Sequence, residues 1–275
     1  DLKKPSFWNA AFEKFCRNLI MLRSRITPCL LIRDKGLVKT KSFKPFKYIG
    51  DPINAIRIFN EKEADELIVL DIDATTKGLE PDFSLIKKMA AECRMPLCYG
   101  GGVKTVDHAE HIVSLGVEKI AVSASFIDNP SLVTDISSKL GSQSVVVILD
   151  VQKNFFGKYE VYTHNGTVGT KKTPIELAKL AVKLGAGEVV INSINLDGTM
   201  SGYDLVLAKF LRNAINVPIS VMGGAGSLDD IKSLINTCGV VGAVAGSLFI
   251  FKGALQAVLI NYPSDAEKDS LVENN

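Results

Sequence analysis

The chain has 275 residues, of which 47% are hydrophobic and 23% are charged, and its formal net charge is +2. This composition is typical of a globular protein with a substantial core, in one large domain or two small ones. The near-neutral charge gives no reason to expect nucleic acid or an anionic membrane as a partner. No run of about 18 apolar residues is free of charge, so we expect no membrane span.

The cysteines predict a reducing environment. Their number is odd and no two of them form a C-x-x-C pair, which argues against a disulfide framework. A cytoplasmic protein is therefore expected. The five positions are Cys16, Cys29, Cys93, Cys98 and Cys238.

Residues 1–20 precede the first predicted element of the main domain. Large apolar side chains recur there at helical spacing: Trp8, Phe12, Phe15 and Leu19. This pattern fits a short amphipathic helix and leaves a membrane-surface anchor open. We prefer to interpret residues 1–20 as an N-terminal extension, with the domain running from residue 21 to residue 263. The polar tail, residues 264–275, is expected to be frayed.

Eight short apolar runs alternate with longer amphipathic stretches along the domain. Nearly continuous apolar runs are typical of strands that are covered on both faces. The predicted strands are Ile26–Ile32, Leu67–Asp71, Pro96–Tyr99, Lys119–Val122, Val145–Asp150, Val189–Ser193, Pro218–Met222 and Val241–Ala245. Helical periodicity is clearest in Pro130–Leu140, Pro174–Leu184 and Asp229–Thr237. Eight such units predict an α/β protein with a single (β/α)8 TIM barrel.

The two halves of the domain repeat each other at a constant spacing. Glu66 and Glu188 stand 122 positions apart, and the match continues over roughly sixty residues without a gap. The same offset relates Asp82 to Asp204, Pro96 to Pro218, Gly101 to Gly223, Gly102 to Gly224 and Ser125 to Ser247. A duplicated scaffold alone gives no reason to repeat glycines and serines at strand ends. We interpret the pattern as two half-barrels of four units each.

Small residues cluster at the carboxyl ends of the predicted strands, where active sites of this fold lie. Glycine lets a backbone approach a ligand closely, and N–H groups at helix starts bind anions. Simple turn chemistry is the alternative, but two such clusters in register favour two phosphate sites and hence a long bisphosphorylated ligand. The candidate phosphate-binding residues are Gly101, Gly102, Ser123, Ala124, Asp197, Gly198, Gly223, Gly224, Gly246 and Ser247.

Many short motifs resemble those of one family. They include Leu70-Asp71-Ile72, Gly100-Gly101-Gly102, Ser201-Gly202-Tyr203-Asp204 and Gly223-Gly224-Ala225-Gly226. From about Met21 to Tyr262 the chain resembles HisF, the synthase subunit of imidazole glycerol phosphate synthase. The resemblance implies a HisH-like glutaminase partner docked at the N-terminal face of the barrel. It also implies ammonia-dependent cleavage and cyclisation of a bisphosphate intermediate of histidine biosynthesis.

The sequence departs from this family at its acid–base pair. The family uses two aspartates, which end the first and the fifth strand. The second is present as Asp150, whereas Leu31 occupies the first position and has no proton to exchange. Asp34 and Asp73 remain as candidate substitutes. Further departures are Ser123-Ala124, where the family usually has Asn-Thr, and Asn195, where an acid is common.

The gate that the family places at the bottom of the barrel is retained. The resemblance assigns it to Arg25, Glu66, Lys119 and Glu188, in which all four residue types are kept. Charges that alternate near strand starts also satisfy one another as a buried network, so a purely structural role remains the alternative.

These observations leave three functions open. The preferred one is a HisF-like paralogue that carries ammonia for acetamidino-sugar synthesis in lipopolysaccharide or another surface polysaccharide. Such paralogues similarly lack the first aspartate and work with a glutaminase and a sugar amidotransferase. The alternatives are a histidine-pathway cyclase with a relocated acid and a non-catalytic scaffold that activates a glutaminase.

The remaining polar clusters carry weaker signals. His108 and His111 are expected on a solvated helix face, and His164 receives no role. The lysines of the first long loop form either a lid over a phosphate or a solvated surface: Lys39, Lys41, Lys44 and Lys47. We expect neither a metal site nor a cofactor.

Overall fold

The computed structural model describes residues 23–44, 46–253 and 255–271. Within these ranges eight parallel strands pair in a closed ring, in which each strand bonds to both of its neighbours. We refer to them as the first to eighth barrel strands: Arg25–Arg33, Leu67–Asp71, Leu97–Gly100, Lys119–Val122, Val145–Lys153, Glu188–Ser193, Ile219–Met222 and Gly242–Ala245. The predicted (β/α)8 barrel is confirmed. The predicted extension over residues 1–20 lies outside the described residues.

A helix follows each barrel strand and packs on the outside of the ring. These helices are Pro52–Glu61, Phe83–Glu92, Val106–Ser114, Ser131–Leu140, Pro174–Lys183, Leu205–Ala214, Leu228–Cys238 and Asp265–Ser270. Two shorter helices, Ala124–Asp128 and Ser247–Ile250, come directly after the fourth and the eighth strand. They occupy equivalent places in the two half-barrels, as the sequence repeat implies.

Part of the sequence repeat is structural. Asp82 Oδ1 accepts a hydrogen bond of 3.0 Å from Leu85 N, and Asp204 Oδ1 accepts one of 3.0 Å from Leu207 N. Each aspartate thus caps the helix that follows it and satisfies a backbone donor that has no partner within the helix. The repeated acids therefore fix helix starts rather than contacting a ligand.

Two barrel strands continue beyond the barrel rim, and each forms an antiparallel hairpin with the segment that follows it. The first strand pairs antiparallel with Gly36–Thr40, which pairs in turn with Phe46–Gly50. The fifth strand does the same with Tyr159–Thr163, followed by Val168–Gly169. The half-barrel repeat thus places one hairpin on each side of the barrel mouth. A further small hairpin joins Phe251–Lys252 to Ala257–Val258.

The apolar side chains form two separate cores because strand residues alternate between the two faces of the sheet. The larger core lies between the strands and the helices. The smaller core fills the barrel interior, and each of its buried members is at most 6% exposed. These members are Cys29, Ile68, Cys98, Ala121, Val146, Ile148, Val190, Met222 and Val244. The barrel axis is therefore apolar between its two ends.

The end of the described chain is ordered, contrary to the expectation of a frayed tail. Residues Asp265–Ser270 form a helix that begins with a capping box between Ser264 and Glu267. Lys268 Nζ lies 2.9 Å from Asp65 Oδ1, and Leu271 is buried. These contacts attach the helix beside the start of the second barrel strand. In the described part of the chain, no helix is long and apolar enough to cross a membrane.

Tyr262 links this segment to the barrel base, and its removal should be measurable. Its hydroxyl donates to Ile26 O at 2.7 Å and accepts from Asp65 N at 3.1 Å. We expect Tyr262→Phe to lower the free energy of unfolding by about 1–2 kcal/mol, because two backbone groups lose their partner. Urea unfolding would measure this loss. Tyr48→Phe, at a side chain that is 65% exposed, is the control and should have no effect.

Candidate functional site

The carboxyl ends of the barrel strands enclose a mouth with two adjoining lobes. The first lobe, at the third and fourth strands, has a cavity volume of about 330 Å³, and the second lobe, at the seventh and eighth strands, has one of about 200 Å³. Side chains lining both lobes lie at their junction: Leu70, Ile72, Asp150 and Asn165. The mouth thus offers one elongated site with two similar ends.

All ten candidate phosphate-binding residues line this mouth. The first lobe is lined by Gly101, Gly102, Ser123 and Ala124. The second lobe is lined by Asp197, Gly198, Gly223, Gly224, Gly246 and Ser247. Their grouping into two lobes matches the grouping predicted from the repeat, and their role in phosphate binding stays a prediction.

The glycines of the two lobes are required by their backbone geometry. Gly101 has a φ of +123° and Gly224 has a φ of +110°, a region that residues with a side chain rarely adopt. A Cβ atom at Gly101 would lie 2.6 Å from the carbonyl oxygen of Asp71, and one at Gly224 would collide with the carbonyl oxygen of Gly202. Glycine therefore lets the backbone line each lobe directly.

Leu31 and Asp150 lie on opposite sides of the second lobe. They belong to the first and fifth strands, which are four strands apart in the ring of eight. Leu31 packs partly buried against the barrel interior. Asp150 accepts a hydrogen bond of 2.9 Å from Asn192 Nδ2. Of the two positions that the resemblance assigns to the acid–base pair, only position 150 therefore carries a carboxylate.

The surroundings of Asp150 tune its proton affinity. Burial raises the pKa of Asp150 to about 6, and the nearby charge of Asp197 acts in the same direction, whereas the hydrogen bond from Asn192 opposes them. A carboxyl group with this pKa exchanges protons readily near neutral pH. Asp150 is thus suited to act as a general acid or base.

The raised pKa of Asp150 should make stability depend on pH. Its contribution is fully present below the ordinary aspartate pKa of about 4 and is lost as the pH rises through about 6. We expect Asp150→Asn to become more stable than the wild type over this window, by about 2 kcal/mol. Urea unfolding from about pH 4 to about pH 7 would measure the difference. Asp135→Asn, on an exposed helix face, is the control substitution, and a pH-independent stability difference between Asp150→Asn and the wild type would contradict the expectation.

The lysines of the first long loop do not act as a set. Lys39 is only 6% exposed and its Nζ donates to Cys29 O at 2.6 Å, so burial lowers its pKa. Lys39 and Lys44 line the second lobe, whereas Lys41 is exposed and Lys47 lies 5.2 Å from the ring of Phe251. Two of the four lysines thus face the ligand cavity.

The same loop is hydrogen-bonded to the loop that follows the sixth strand. Thr40 Oγ1 donates to Asp197 Oδ2 at 2.9 Å, and Ser42 N donates to Asp197 O at 2.7 Å. Because its carboxylate already holds Thr40, Asp197 is better placed to fix the loop than to contact a phosphate. The backbone from Gly198 onward remains the better candidate at this position.

The two candidate replacement acids are engaged elsewhere. Asp34 is exposed and its Oδ1 lies 2.7 Å from Lys77 Nζ, which is also 2.7 Å from Asp73 Oδ2. Neither Asp34 nor Asp73 lines either lobe of the mouth. Asn195, at a position where an acid is common, accepts a hydrogen bond from Lys153 N at 2.8 Å and also lies outside both lobes.

Sequence reasoning missed several residues of the mouth. His164 and Asn165 line the first lobe with φ values of +52° and +54°, and Asn165 Nδ2 donates to Ile72 O at 2.8 Å across the mouth. The Asn165-Gly166 pair is a turn signal that places these residues at a hairpin bend. Asn192 was also missed, although a polar residue in an apolar strand run at the level of Asp150 is a usable signal.

The other two histidines serve packing. The His111 ring stacks on Phe83 at 4.3 Å, and the His108 ring meets the same side chain edge-on at 5.9 Å. Among the described residues, no group of three or more histidine, cysteine, aspartate or glutamate side chains is arranged to hold a metal ion.

A ring of four charged side chains closes the opposite end of the barrel. Arg25 lies 3.1 Å from Glu66 and 2.6 Å from Glu188, and Lys119 lies 2.6 Å from Glu66 and 3.0 Å from Glu188. Ser220 Oγ donates to Glu188 at 2.5 Å. Each acid thus contacts both bases, and the ring sits directly below the apolar interior.

Comparison with known proteins identifies the class. A family model described as "Histidine biosynthesis protein" matches residues 25–256. A provisionally named imidazole glycerol phosphate synthase HisF subunit of Vibrio vulnificus is 54% identical over 254 residues, which are 92% of this chain and 98% of the relative. One of Leptospira borgpetersenii is 55% identical over 252 residues, or 91% and 99% of the two chains. The HisF subunit of Alkaliphilus metalliredigens is 38% identical over 229 residues, or 83% and 91%.

The family match covers nearly the whole barrel, so the chain is a barrel of the class that this family model describes. The relatives narrow this class further, and the chain belongs to the HisF family. The resemblance drawn from the sequence motifs is thereby confirmed.

Proposed function

We propose that this chain is a HisF-like synthase subunit that takes ammonia from a HisH-like glutaminase and delivers it for acetamidino-sugar synthesis without cyclising a histidine precursor. The observation that carries the proposal is the combination of an intact charged ring at the base with Leu31 opposite Asp150 at the mouth. The route for nitrogen is kept, whereas half of the acid–base pair is not. We place the complex in the cytoplasm.

The base of the barrel supports docking of a glutaminase at the N-terminal face. The charged ring lies at the strand starts, where ammonia from such a partner would enter. Rearrangement of one ion pair would open a path into the interior, whose apolar lining excludes charged ammonium and leaves neutral ammonia as the transported species. Arg25, the most exposed member with a side chain that is 33% exposed, is the natural moving part.

The mouth supports a phosphorylated ligand but argues against cyclisation. Glycine backbone lines both lobes, and this lining suits two phosphate groups. Proton transfer by a positioned side chain contributes about 10²–10⁴-fold to a rate, and Leu31 supplies none of it. The placement of Asp34 and Asp73 outside both lobes weakens the alternative of a cyclase with a relocated acid.

Specialisation for acetamidino sugars is supported by the pattern of similarity. The relatives from Vibrio and Leptospira, named only provisionally as HisF subunits, share 54% and 55% identity with this chain, against 38% for the HisF subunit from Alkaliphilus. The higher identity to the provisionally named relatives is what we expect if they and this chain share a function that differs from that of the Alkaliphilus subunit. In that role a sugar amidotransferase would be the third partner and would receive the ammonia.

Reconstitution with isotopic labelling tests the proposal. The chain would be mixed with a HisH-like glutaminase, a sugar amidotransferase, an N-acetylated nucleotide sugar, ATP and glutamine labelled with ¹⁵N in its amide group. We expect label in the acetamidino group by mass spectrometry, and a sharp loss when Arg25→Ala breaks two contacts of the ring. The matched control is Arg57→Ala, which removes an exposed arginine that pairs with Glu92 on the outer helices.

The alternatives give different results. Glutaminase stimulation without any transfer of label would favour a scaffold that only activates its partner. Turnover of the phosphoribulosyl-formimino bisphosphate substrate of HisF, lost in Asp150→Asn, would instead make this chain a histidine-pathway cyclase.

A further inference from the structure

The side chain of Asn192 carries an unsatisfied acceptor at the centre of the molecule. Asn192 is 4% exposed and lines the second lobe from the end of the sixth strand. Its Nδ2 donates to Asp150 Oδ1 at 2.9 Å, whereas its Oδ1 has no hydrogen-bond partner among the described residues. Buried polar atoms are almost always paired, so an unpaired amide oxygen at a cavity wall indicates a ligand that supplies a donor.

The orientation of this amide is fixed by its neighbour. The carboxylate of Asp150 is only an acceptor when it is ionised, so it must face the NH₂ group of Asn192. A flipped amide would place two oxygen atoms against each other and leave two donors unpaired. Oδ1 is therefore held on the side of the amide away from Asp150.

The position of Oδ1 depends on a glycine next to it. A Cβ atom at Gly223 would lie 3.0 Å from Asn192 Oδ1, so any larger residue there would crowd the amide oxygen. Asn192 pairs in register with Asp150 on one side and with Met222 on the other. The Asn192 amide thus lies between a carboxylate and an apolar side chain, on a residue that lines the second lobe.

Asn192 and Asp150 lie at the upper end of the barrel interior. Strand residues two positions apart share a face, so Val190 lies below Asn192 and Ile148 lies below Asp150, and both belong to the apolar interior. On the fifth and sixth strands, Asp150 and Asn192 are therefore the first polar side chains above it. Leu31 faces them across the second lobe.

We propose that Asn192 Oδ1 and the carboxylate of Asp150 form a binding site for ammonia at the exit of the barrel interior. Ammonia has three N–H donors and one lone pair, so it satisfies both acceptors and keeps its lone pair free for the electrophile that finally receives the nitrogen. Leu31 covers the opposite side and limits the access of water. This inference rests on the proposed route through the barrel, but its chemistry lies in residues outside the charged ring.

Side-chain amide spectroscopy tests the site without any turnover assay. The NH₂ group of Asn192 in the ¹⁵N-labelled chain is assigned by its loss in Asn192→Leu, an apolar replacement of similar shape. We expect its resonances to shift saturably when ammonium chloride is added at alkaline pH, where much of the ammonium is neutral ammonia. Sodium chloride at equal ionic strength should have no effect. Asn165, whose NH₂ group is bound to Ile72 O, provides a reference in the same spectrum.

A second variant keeps the test decisive if Asn192→Leu fails to fold. Asn192→Thr keeps a buried acceptor in a smaller side chain and removes the NH₂ group, so it can replace Asn192→Leu for the assignment. Asp150→Asn removes the carboxylate, so the ammonium chloride concentration that gives half of the shift at Asn192 should rise at least tenfold. An Asn192 resonance that stays unmoved, or moves equally with sodium chloride, would overturn the site. Ammonia binding at Asn192 without nitrogen transfer from a glutaminase would sustain the site and overturn the proposed function instead.

Discussion

Glu188→Gln is expected to lower the free energy of unfolding by about 3 kcal/mol. Removing one member of a buried ion pair typically costs about 3–5 kcal/mol, because the partner is left as an uncompensated charge. Glu188 is 6% exposed and contacts both Arg25 and Lys119, so glutamine leaves a net positive charge in the ring. The partial exposure of Arg25 keeps the loss near the lower end of that range. Urea unfolding at neutral pH is the measurement.

A second substitution separates the charge effect from the loss of packing. Lys119→Met in the Glu188→Gln background removes the excess charge and should recover about half of the lost stability. Glu118→Gln, at the exposed neighbour of Lys119, is the control and should leave unfolding unchanged. If the double variant were as unstable as the sum of the two single variants, the ring would not act as a coupled unit.

The pH dependence of the ring follows from the same contacts. Burial alone would raise the pKa of Glu188, but Arg25 and Lys119 outweigh it and hold the pKa below its ordinary value. Such a group stabilises the fold above the ordinary glutamate pKa of about 4.3, and this contribution is lost as the pH falls through the lower folded-state pKa. The difference between the wild type and Glu188→Gln should therefore shrink in acid.

The barrel was predictable because its signals are strong and local. Runs such as Leu67–Asp71 and Lys119–Val122 are short, apolar and bounded by helical periodicity, and both are strands with those bounds. The repeat of Gly101 at Gly223 indicated where the mouth lies. Both positions have a positive φ that glycine adopts more readily than other residues. The resemblance to HisF assigned the four residues of the ring, and the fold brings these distant strand starts together.

Other parts of the structure depend on contacts that no local pattern carries. The fifth strand continues to Lys153 and into a hairpin because its partner, Tyr159–Thr163, supplies the hydrogen bonds beyond the barrel rim. The short helix at Asp265–Ser270 is too polar to predict a buried element, and it is held by Lys268 contacting Asp65 about two hundred positions away. The role proposed for Asn192 could not be predicted from the sequence, because it depends on a buried amide oxygen that lacks a hydrogen-bond partner in the structure.

Leu31→Asp is expected to raise the rate at which this chain cyclises the phosphoribulosyl-formimino bisphosphate substrate of HisF. The substitution restores the acid–base pair that the family carries at the ends of the first and fifth strands. Proton transfer by a positioned carboxyl group contributes about 10²–10⁴-fold, so we expect a gain of that size with free ammonium as the nitrogen source. Loss of substrate absorbance measures the rate, and free ammonium removes the need for a glutaminase.

The dependence on pH and on Asp150 distinguishes a restored pair from an incidental new acid. A carboxyl group at position 31 would stand opposite Asp150, so one of the two could act as the acid and the other as the base, and the rate should show a bell-shaped dependence on pH. Asp150→Asn should abolish the gained activity.

The strongest control is Leu70→Asp. Leu70 pairs in register with Leu31, is also partly buried and lines both lobes of the mouth, but it belongs to the second strand rather than to the strand opposite Asp150. An acid there adds the same charge to the same layer of the barrel at the wrong angle to its partner, and it should give no cyclisation. Equal activity from both variants would mean that any new acid in the mouth suffices. Full cyclisation activity in the wild type would mean that Leu31 does not prevent the reaction. The proposal that the chain delivers nitrogen to a sugar would then lose its main support.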